Sequence, residues 1–268
     1  MPQYNDDQTG RIRELYLRTQ QNDYLTHTAF LSLSEQAQFL DSVRYLGQKE
    51  DIRIKESEYI LYGGFKDAER CIVCFLPSYI TKDSFLSEQD SDESGLLSCL
   101  AIRPLNPRFS DELTHRDYLG AIMNLGIERD ATGDIICSSG YAAVSVLTGA
   151  SSVIERELVR VRHTTVSCER INFRDCGITP QFREIRINIA SERTDAILGE
   201  VYHLSRAGSQ ELIRTGMVSV NGREATDPGR VLKEKDRVSV RSKGKFIYSG
   251  KEGCTKKGRV TAVVTVYL

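Results

Sequence analysis

At 268 residues, 40% of them hydrophobic, the chain is long for one ordinary domain and can bury two or three small cores. A formal net charge of −1 excludes a uniformly basic or acidic protein. Seven cysteines without a regular spacing argue against a disulfide framework and fit reduced thiols, and the lack of any apolar run long enough to cross a bilayer leads us to expect a soluble cytoplasmic chain with no membrane partner.

The first elements in chain order are two amphipathic helices, RIRELYLRTQQND and SLSEQAQFLDSVRYLGQKE, with Leu15, Phe39, Val43 and Leu46 at helical spacing. Ser34, just before Glu35, is the expected cap of the second. DIRIKESEYILYGGF comes next as a strand pattern bent at Gly63-Gly64, and ERCIVCFLP as a strand closed by Pro77. Cys71 and Cys74 form a C-x-x-C pair, but residues three apart on a strand point to opposite faces, so the thiols are read as structural and no metal is expected. The acidic segment KDSFLSEQDSDESG is expected to be an exposed loop.

From residue 96 the pattern runs LLSCLAIRP (β), THRDYLGAIMNLG (α), DIICSS and YAAVSVL (two strands meeting at Gly140), ASSVIERELVRVR (α) and TTVSCERI (β). The order β-α-β-β-α-β is the ferredoxin-like arrangement that RNA-recognition motifs also use. Those motifs stack bases on aromatics of the two central strands, where this chain offers only Tyr141. The consecutive His115, Arg116 and Asp117 at a helix start cannot converge on one point and are read as capping and surface charge.

The last third is different in charge. Residues 190–268 hold 15 Lys+Arg and 9 Asp+Glu, a surplus of six positive charges, whereas residues 1–189 carry seven more acidic than basic groups. Such a polarised molecule orients a polyphosphate toward one end. Within the basic part, Ser205 is the expected N-cap of a short helix ended by Gly216, followed by a strand through Val218 and Val220, a type I′ turn at Asn221-Gly222 and a further strand at Val238-Ser239-Val240. At 100° per residue Arg206, Gln210 and Arg214 fall within about 80° of one another, a stripe suited to phosphates with Gln210 able to reach a sugar or base edge.

Arg193-Thr194-Asp195, Leu204-Ser205-Arg206, Ile213, Gly216, Val218, Val220-Asn221-Gly222 and Lys235-Asp236-Arg237-Val238 together resemble the alpha-L RNA-binding motif, the domain named after small-subunit ribosomal protein S-four, over most of residues 191–245. Thr194 and Ser209 depart from the usual leucine and alanine, which bears on packing. With Thr114-His115-Arg116-Asp117, Leu125-Gly126-Ile127, Arg129 and Gly133-Asp134-Ile135 in front, most of the chain looks like the YlmH-type RNA-binding proteins of Gram-positive bacteria. That resemblance implies a non-catalytic RNA binder, without cofactor, that engages the large ribosomal subunit with peptidyl-tRNA during rescue of stalled translation.

Two other classes compete. An RNA-modifying or tRNA-charging enzyme often carries an alpha-L module as an appendage, but the G-R-L-D, H-I-G-H, K-M-S-K-S and glycine-rich cofactor signatures are absent from the sequence. A protein-interaction factor in cell division is suggested only by the resembling family's gene neighbourhood. The expectation is a three-part α+β protein: a helical N-terminal region (1–70), a ferredoxin-like domain (71–185) and an alpha-L RNA-binding domain (186–268). The expected RNA contacts are Arg193, Ser205, Arg206, Gln210, Arg214 and Asn221, flanked by Arg223, Lys243 and Lys245, with rRNA and tRNA as partners.

Overall fold

The structure is a computed structural model that describes residues 6–89, 95–138, 140–178, 182–255 and 258–267. Inter-residue contacts divide the chain into two compact units, Met1–Thr179 and Pro180–Leu268.

In the first unit, helices α1 (Asp6–Asn22) and α2 (Leu33–Lys49) frame a three-stranded antiparallel sheet of β1 (Thr26–His27), β2 (Tyr59–Tyr62) and β3 (Ile72–Phe75), in the order β1-β3-β2. The cap of α2 is Ser32, not Ser34: its Oγ accepts from the Glu35 amide and the Glu35 carboxylate accepts from the Ser32 amide. The three-residue spacing to Glu35 permits this reciprocal box, which the adjacent Ser34 cannot form. Ile12, Leu15 and Phe39 bury one face of β3 through Val73 and Phe75, while Ile72 and Cys74 pack on the opposite face with Phe30, Leu76, Phe85 and Leu97. Sandwiched on both sides, β3 reads as a continuous apolar run. Alternation sends Cys71 and Cys74 to opposite faces, and burial pushes the Cys74 thiol up.

Two expectations need correction here. The boundary placed at 70/71 separates β2 from β3, which are paired from Tyr59↔Phe75 to Tyr62↔Ile72; residues on both sides of it belong to one compact unit that runs to Thr179. The acidic segment holds a helix, α3 (Lys82–Gln89), because Thr81 Oγ1 accepts from the Ser84 amide at 3.1 Å and Phe85 is buried edge-on against Tyr62; its residues 90–94 lie outside the described residues.

The ferredoxin-like pattern is realised as β4 (Leu97–Pro104), α4 (His115–Met123), β5 (Thr132–Ser138), β6 (Tyr141–Leu147), α5 (Thr148–Glu157), β7 (Arg160–Val161) and β8 (Thr164–Ile171). The antiparallel sheet has the order β5-β6-β4-β8-β7, the split β-α-β arrangement with one extra edge strand. β7 replaces the last turn expected of α5, which stops at Glu157 before the β-branched Val159 and Val161.

Tyr118 and Ile122 of α4 and Ile154 of α5 cover one sheet face through Leu100, Ile102, Val144 and Val146. The other face, through which an RNA-recognition motif stacks bases, is also covered. Cys99, Ile136 and Ala143 lie under Phe65, Phe173, Cys176 and Ile178, and Ser145 Oγ donates to the Gly63 carbonyl at 2.9 Å. Tyr141 spends its hydroxyl on the Cys176 carbonyl and its ring lies 4.8 Å from the Arg103 guanidinium.

Arg129 and Gly133-Asp134-Ile135 join the two sheets of this unit. Asp134 accepts from the Glu69 and Arg70 amides at 2.6 and 3.1 Å; Arg70 donates to the carbonyls of Phe30, Arg129 and Thr132 at 3.0–3.3 Å; Arg129 donates to Gly133 at 3.1 Å. A Cβ at Gly133 would meet the buried Phe30 ring at 2.5 Å and Ser145 at 3.1 Å. Gly133→Ala is therefore expected to destabilise the first unit by about 1–3 kcal/mol through overpacking. A calorimetric scan of the full chain should show the first unit's transition shifted down and that of the second unit unmoved.

The second unit is a six-stranded antiparallel sheet with two helices on one face. Its elements are β9 (Phe182–Ile189), α6 (Thr194–Tyr202), α7 (Arg206–Arg214), β10 (Val218–Val220), β11 (Arg223–Glu224), β12 (Arg237–Val240), β13 (Gly244–Cys254) and β14 (Val260–Tyr267), and the sheet order is β11-β10-β12-β13-β14-β9. Ile197, Leu198 and Ile213 of the helices pack on Ile187, Ile189, Val218, Val220, Val238, Val240, Phe246 and Val264. The boundary expected at 185/186 falls inside β9, which pairs with β14 from Phe182↔Tyr267 to Ile189↔Val260 and so belongs to this unit. No helix among the described residues is long and apolar enough to span a membrane.

Candidate nucleic-acid interface

The site is assembled by the start of α6 and by α7, the next element in the chain. Ser205 caps α7, its Oγ accepting from the Gly208 amide at 3.1 Å. The helix ends in a full Schellman motif: the Met217 amide donates to Leu212 at 3.0 Å, the Gly216 amide to Ile213 at 3.1 Å, and Gly216 has φ +69°. These two stops fix the rotation of α7 so that Ser209 and Ile213 face the core and Arg206 and Arg214 face solvent.

Asp195 organises the polar side of this pair. Its carboxylate is 1% exposed and accepts two hydrogen bonds from Arg193, Nε at 3.0 Å and Nη2 at 2.8 Å, plus one from the Gln210 side chain at 3.0 Å, with Arg206 Nε at 3.8 Å. A buried carboxylate left alone costs several kcal/mol, so its neighbours are drawn in to satisfy it. The consequence is a fixed array: the Arg193 fork held in one plane, Gln210 beside it, and Arg206 at the rim with its side chain 74% exposed. Arg193 hydrogen bonding, with further help from Gln210 and Arg206, holds the Asp195 carboxyl below the usual carboxylate range although burial opposes it.

The structure therefore brings together Arg193, Arg206 and Gln210, and adds Asp195, which enters the sequence analysis only as a residue of the alpha-L motif. The signal for it was present: an Arg-x-Asp at a helix start, with Gln and Arg one helix later, places charge-complementary groups on facing surfaces. The other expected contacts lie apart from this array. Arg214 pairs with Glu211 on its own helix. Asn221 (φ +50°) and Gly222 (φ +76°) form the hairpin turn as expected, but the Asn221 amide donates to Asp236 at 2.7 Å and its carbonyl accepts from the Arg237 amide at 2.8 Å. Asn221, exposed at the tip, thus holds the hairpin together through both ends of its side-chain amide. Asp236, buried like Asp195, also accepts from the Lys233 amide at 2.9 Å. Ser205 is occupied as an acceptor by its cap. Arg223 lies on β11, Lys243 in the β12–β13 turn and Lys245 at the start of β13, all exposed.

The two departures in the motif have different outcomes. Thr194 Oγ1 donates to the Arg230 carbonyl at 2.8 Å, so its polarity is satisfied. Ser209 Oγ is buried and, among the described residues, has no hydrogen-bond partner.

Residues 104–175 match the family model described as "Putative RNA-binding domain in YlmH", and residues 200–238 match the model described as "S4 domain". The chain is 31% identical over 201 residues, 74% of its own length and 73% of the relative's, to the "Ribosome-associated protein quality control protein P2" of Bacillus subtilis (strain 168). A solved structure titled "Cell division protein ylmH from Streptococcus pneumoniae" is similar over 65% of this chain and 95% of that one, at 19% identity and a TM-score of 0.46. A capped helix pair on an antiparallel sheet, with cations gathered on its outer side and an S4 match across it, defines the class: an S4-domain protein with RNA-binding modules. Within that class, the chain belongs to the family of YlmH-type RNA-binding proteins.

Two outcomes test this geometry. Ser209→Ala removes an unsatisfied hydroxyl and is expected to stabilise the second unit by about 1 kcal/mol, read as a higher denaturant midpoint at unchanged slope. Asp195→Asn removes a charged acceptor of several hydrogen bonds and is expected to cost about 1–3 kcal/mol at neutral pH. Because the folded-state pKa of Asp195 is depressed, its stabilisation is complete above the unfolded value of about 3.9 and fades as pH falls through the lower folded value. The stability gap between parent and Asp195→Asn should be constant from pH 8 to about pH 5 and close below about pH 4; a gap that instead narrows near neutrality would reject the ionised-carboxylate account.

Proposed function

We propose that this chain is a non-catalytic RNA-binding protein of the cytoplasm that associates with the large ribosomal subunit, through rRNA and peptidyl-tRNA, in translation quality control. The observation that carries the reading is the array anchored on buried Asp195, in which Arg193, Gln210 and Arg206 are held at the exposed side of the α6–α7 pair. Guanidinium forks held in place in this way suit phosphates, and a fixed amide between them suits a ribose or base edge. The flanking cations Arg223, Lys243 and Lys245 and the surplus of positive charge over residues 190–268 extend the attraction to neighbouring phosphates. The ribosome and quality control enter from the printed name of the Bacillus subtilis relative.

Absence of catalysis is part of the proposal. Its support is chemical: burial raises the thiols of Cys74 and Cys99, and raises Cys137 to about 11 and Cys168 to about 12, which keeps them protonated and poorly nucleophilic at neutral pH. Asp195, the buried acid of the array, is tied to two cationic partners and an amide.

The test is a salt titration of rRNA binding. Each guanidinium that neutralises a phosphate contributes roughly 0.7–0.9 to the slope of log affinity against log salt, so Arg206→Gln with Arg214→Gln should lower the slope by about 1.5. The same variant should move from the large-subunit fraction toward the top of a sucrose gradient. An unchanged slope and an unchanged sedimentation position would reject the α7 surface as the contact.

A further inference from the structure

The first unit contains the segment matched to a YlmH RNA-binding domain, yet the sheet face an RNA-recognition motif would use lies beneath Phe65, Phe173, Cys176 and Ile178. Any RNA contact in this unit must lie elsewhere. At one end of the sheet, the two-residue turn between β7 and β8 and the first turn of α4 are bound together. Arg162 Nη1 lies 3.7 Å from Asp117 Oδ1, the His163 amide donates to Asp111 at 3.3 Å, and the Asp111 amide donates to Thr164 Oγ1 at 2.9 Å. His115, Arg116, Arg160, Arg162 and His163 are all exposed there.

We propose that this hairpin tip and helix start form a second contact with the RNA backbone, made by Arg116, Arg160 and Arg162 with His115 and His163 beside them; the proposal rests on the RNA-binding reading above.

Four observations support RNA as the occupant. Neither Arg116 nor Arg160 enters an ion pair among the described residues, and the nearby acids Asp111 and Asp117 are engaged with the hairpin backbone and the α4 cap, so two exposed guanidiniums of this edge are left without a carboxylate partner. Second, Arg162 has φ +53°, a left-handed position that ordinarily selects Gly or Asn and strains a side-chain-bearing residue. Third, Leu105 and Val159, at 64% and 62% exposure among the most exposed large apolar side chains, flank the same edge. The Leu105 amide donates to the Thr165 carbonyl, and Arg160 is paired across from Thr165. Fourth, every one of these groups falls within the matched residues 104–175.

The experiment uses the full chain and total rRNA, with sedimentation on intact ribosomes as a second readout. Arg116→Gln, Arg160→Gln and Arg162→Gln together should lower the salt slope by about 2 and weaken binding by roughly 50-fold near 0.15 M salt. Unfolding temperature should not change, and the corresponding triple Lys variant should restore the slope. Arg206→Gln with Arg214→Gln is measured in parallel. If that double variant loses slope and the triple Gln variant does not, the second contact is rejected and the S4-domain reading stands. If neither changes the slope, both fall. If the triple Gln variant leaves rRNA binding intact but no longer sediments with ribosomes, the surface meets protein and the proposal is overturned.

Discussion

A single buried carboxylate governs the presented surface of the second unit. Asp195 sits at 1% exposure at the start of α6, where an unpaired charge would be costly, so its satisfaction dictates where Arg193 and Gln210 point and where Arg206 is drawn. The cap at Ser205 and the Schellman stop at Gly216 then serve the carboxylate by setting the rotation of α7. Rigidity here has a binding consequence. Long cationic side chains lose roughly 2 kcal/mol of rotamer freedom when fixed, and Arg193 has lost much of it before any ligand arrives.

Charge is distributed to match. The acidic first unit and basic second unit make opposite fields, so an approaching polyphosphate is sorted by direction before it is bound. The Arg116–Arg162 edge adds exposed guanidiniums to that unit. Both polar arrays use acids inwardly and bases outwardly: Asp195, Asp236, Asp111 and Asp117 are tied to the chain's own donors, and the arginines beside them face water.

Much of this was legible in the sequence because it is local. The ferredoxin-like order of β4 to β8, the Ser205 cap, the Gly216 stop and the Asn221-Gly222 turn each depend on residues within one or two turns of chain. The features that escaped were set by distant partners. β9 joins β14 across some 70 intervening residues, so its Ile185, Ile187 and Ile189 gave alternation without a partner to assign it to. The covering of the β4–β6 face by Phe65 and Phe173 depends on segments far apart in the sequence. Of the site, the arginines were legible as charges, but the part played by Asp195 was not, because the acid arranges cations that come from two different helices.

The pairing of β9 with β14 also sets an order of events. The strand that opens the second unit has its sheet neighbour at the unit's far end, so the helices and β10 to β13 are synthesised while Ile187 and Ile189 still lack part of their cover. This pairing is among the most non-local contacts of the unit, and such contacts form only after the intervening chain is in place. The six-stranded sheet, and with it the cover of Ile187 and Ile189, is complete only once the last strand has joined the first.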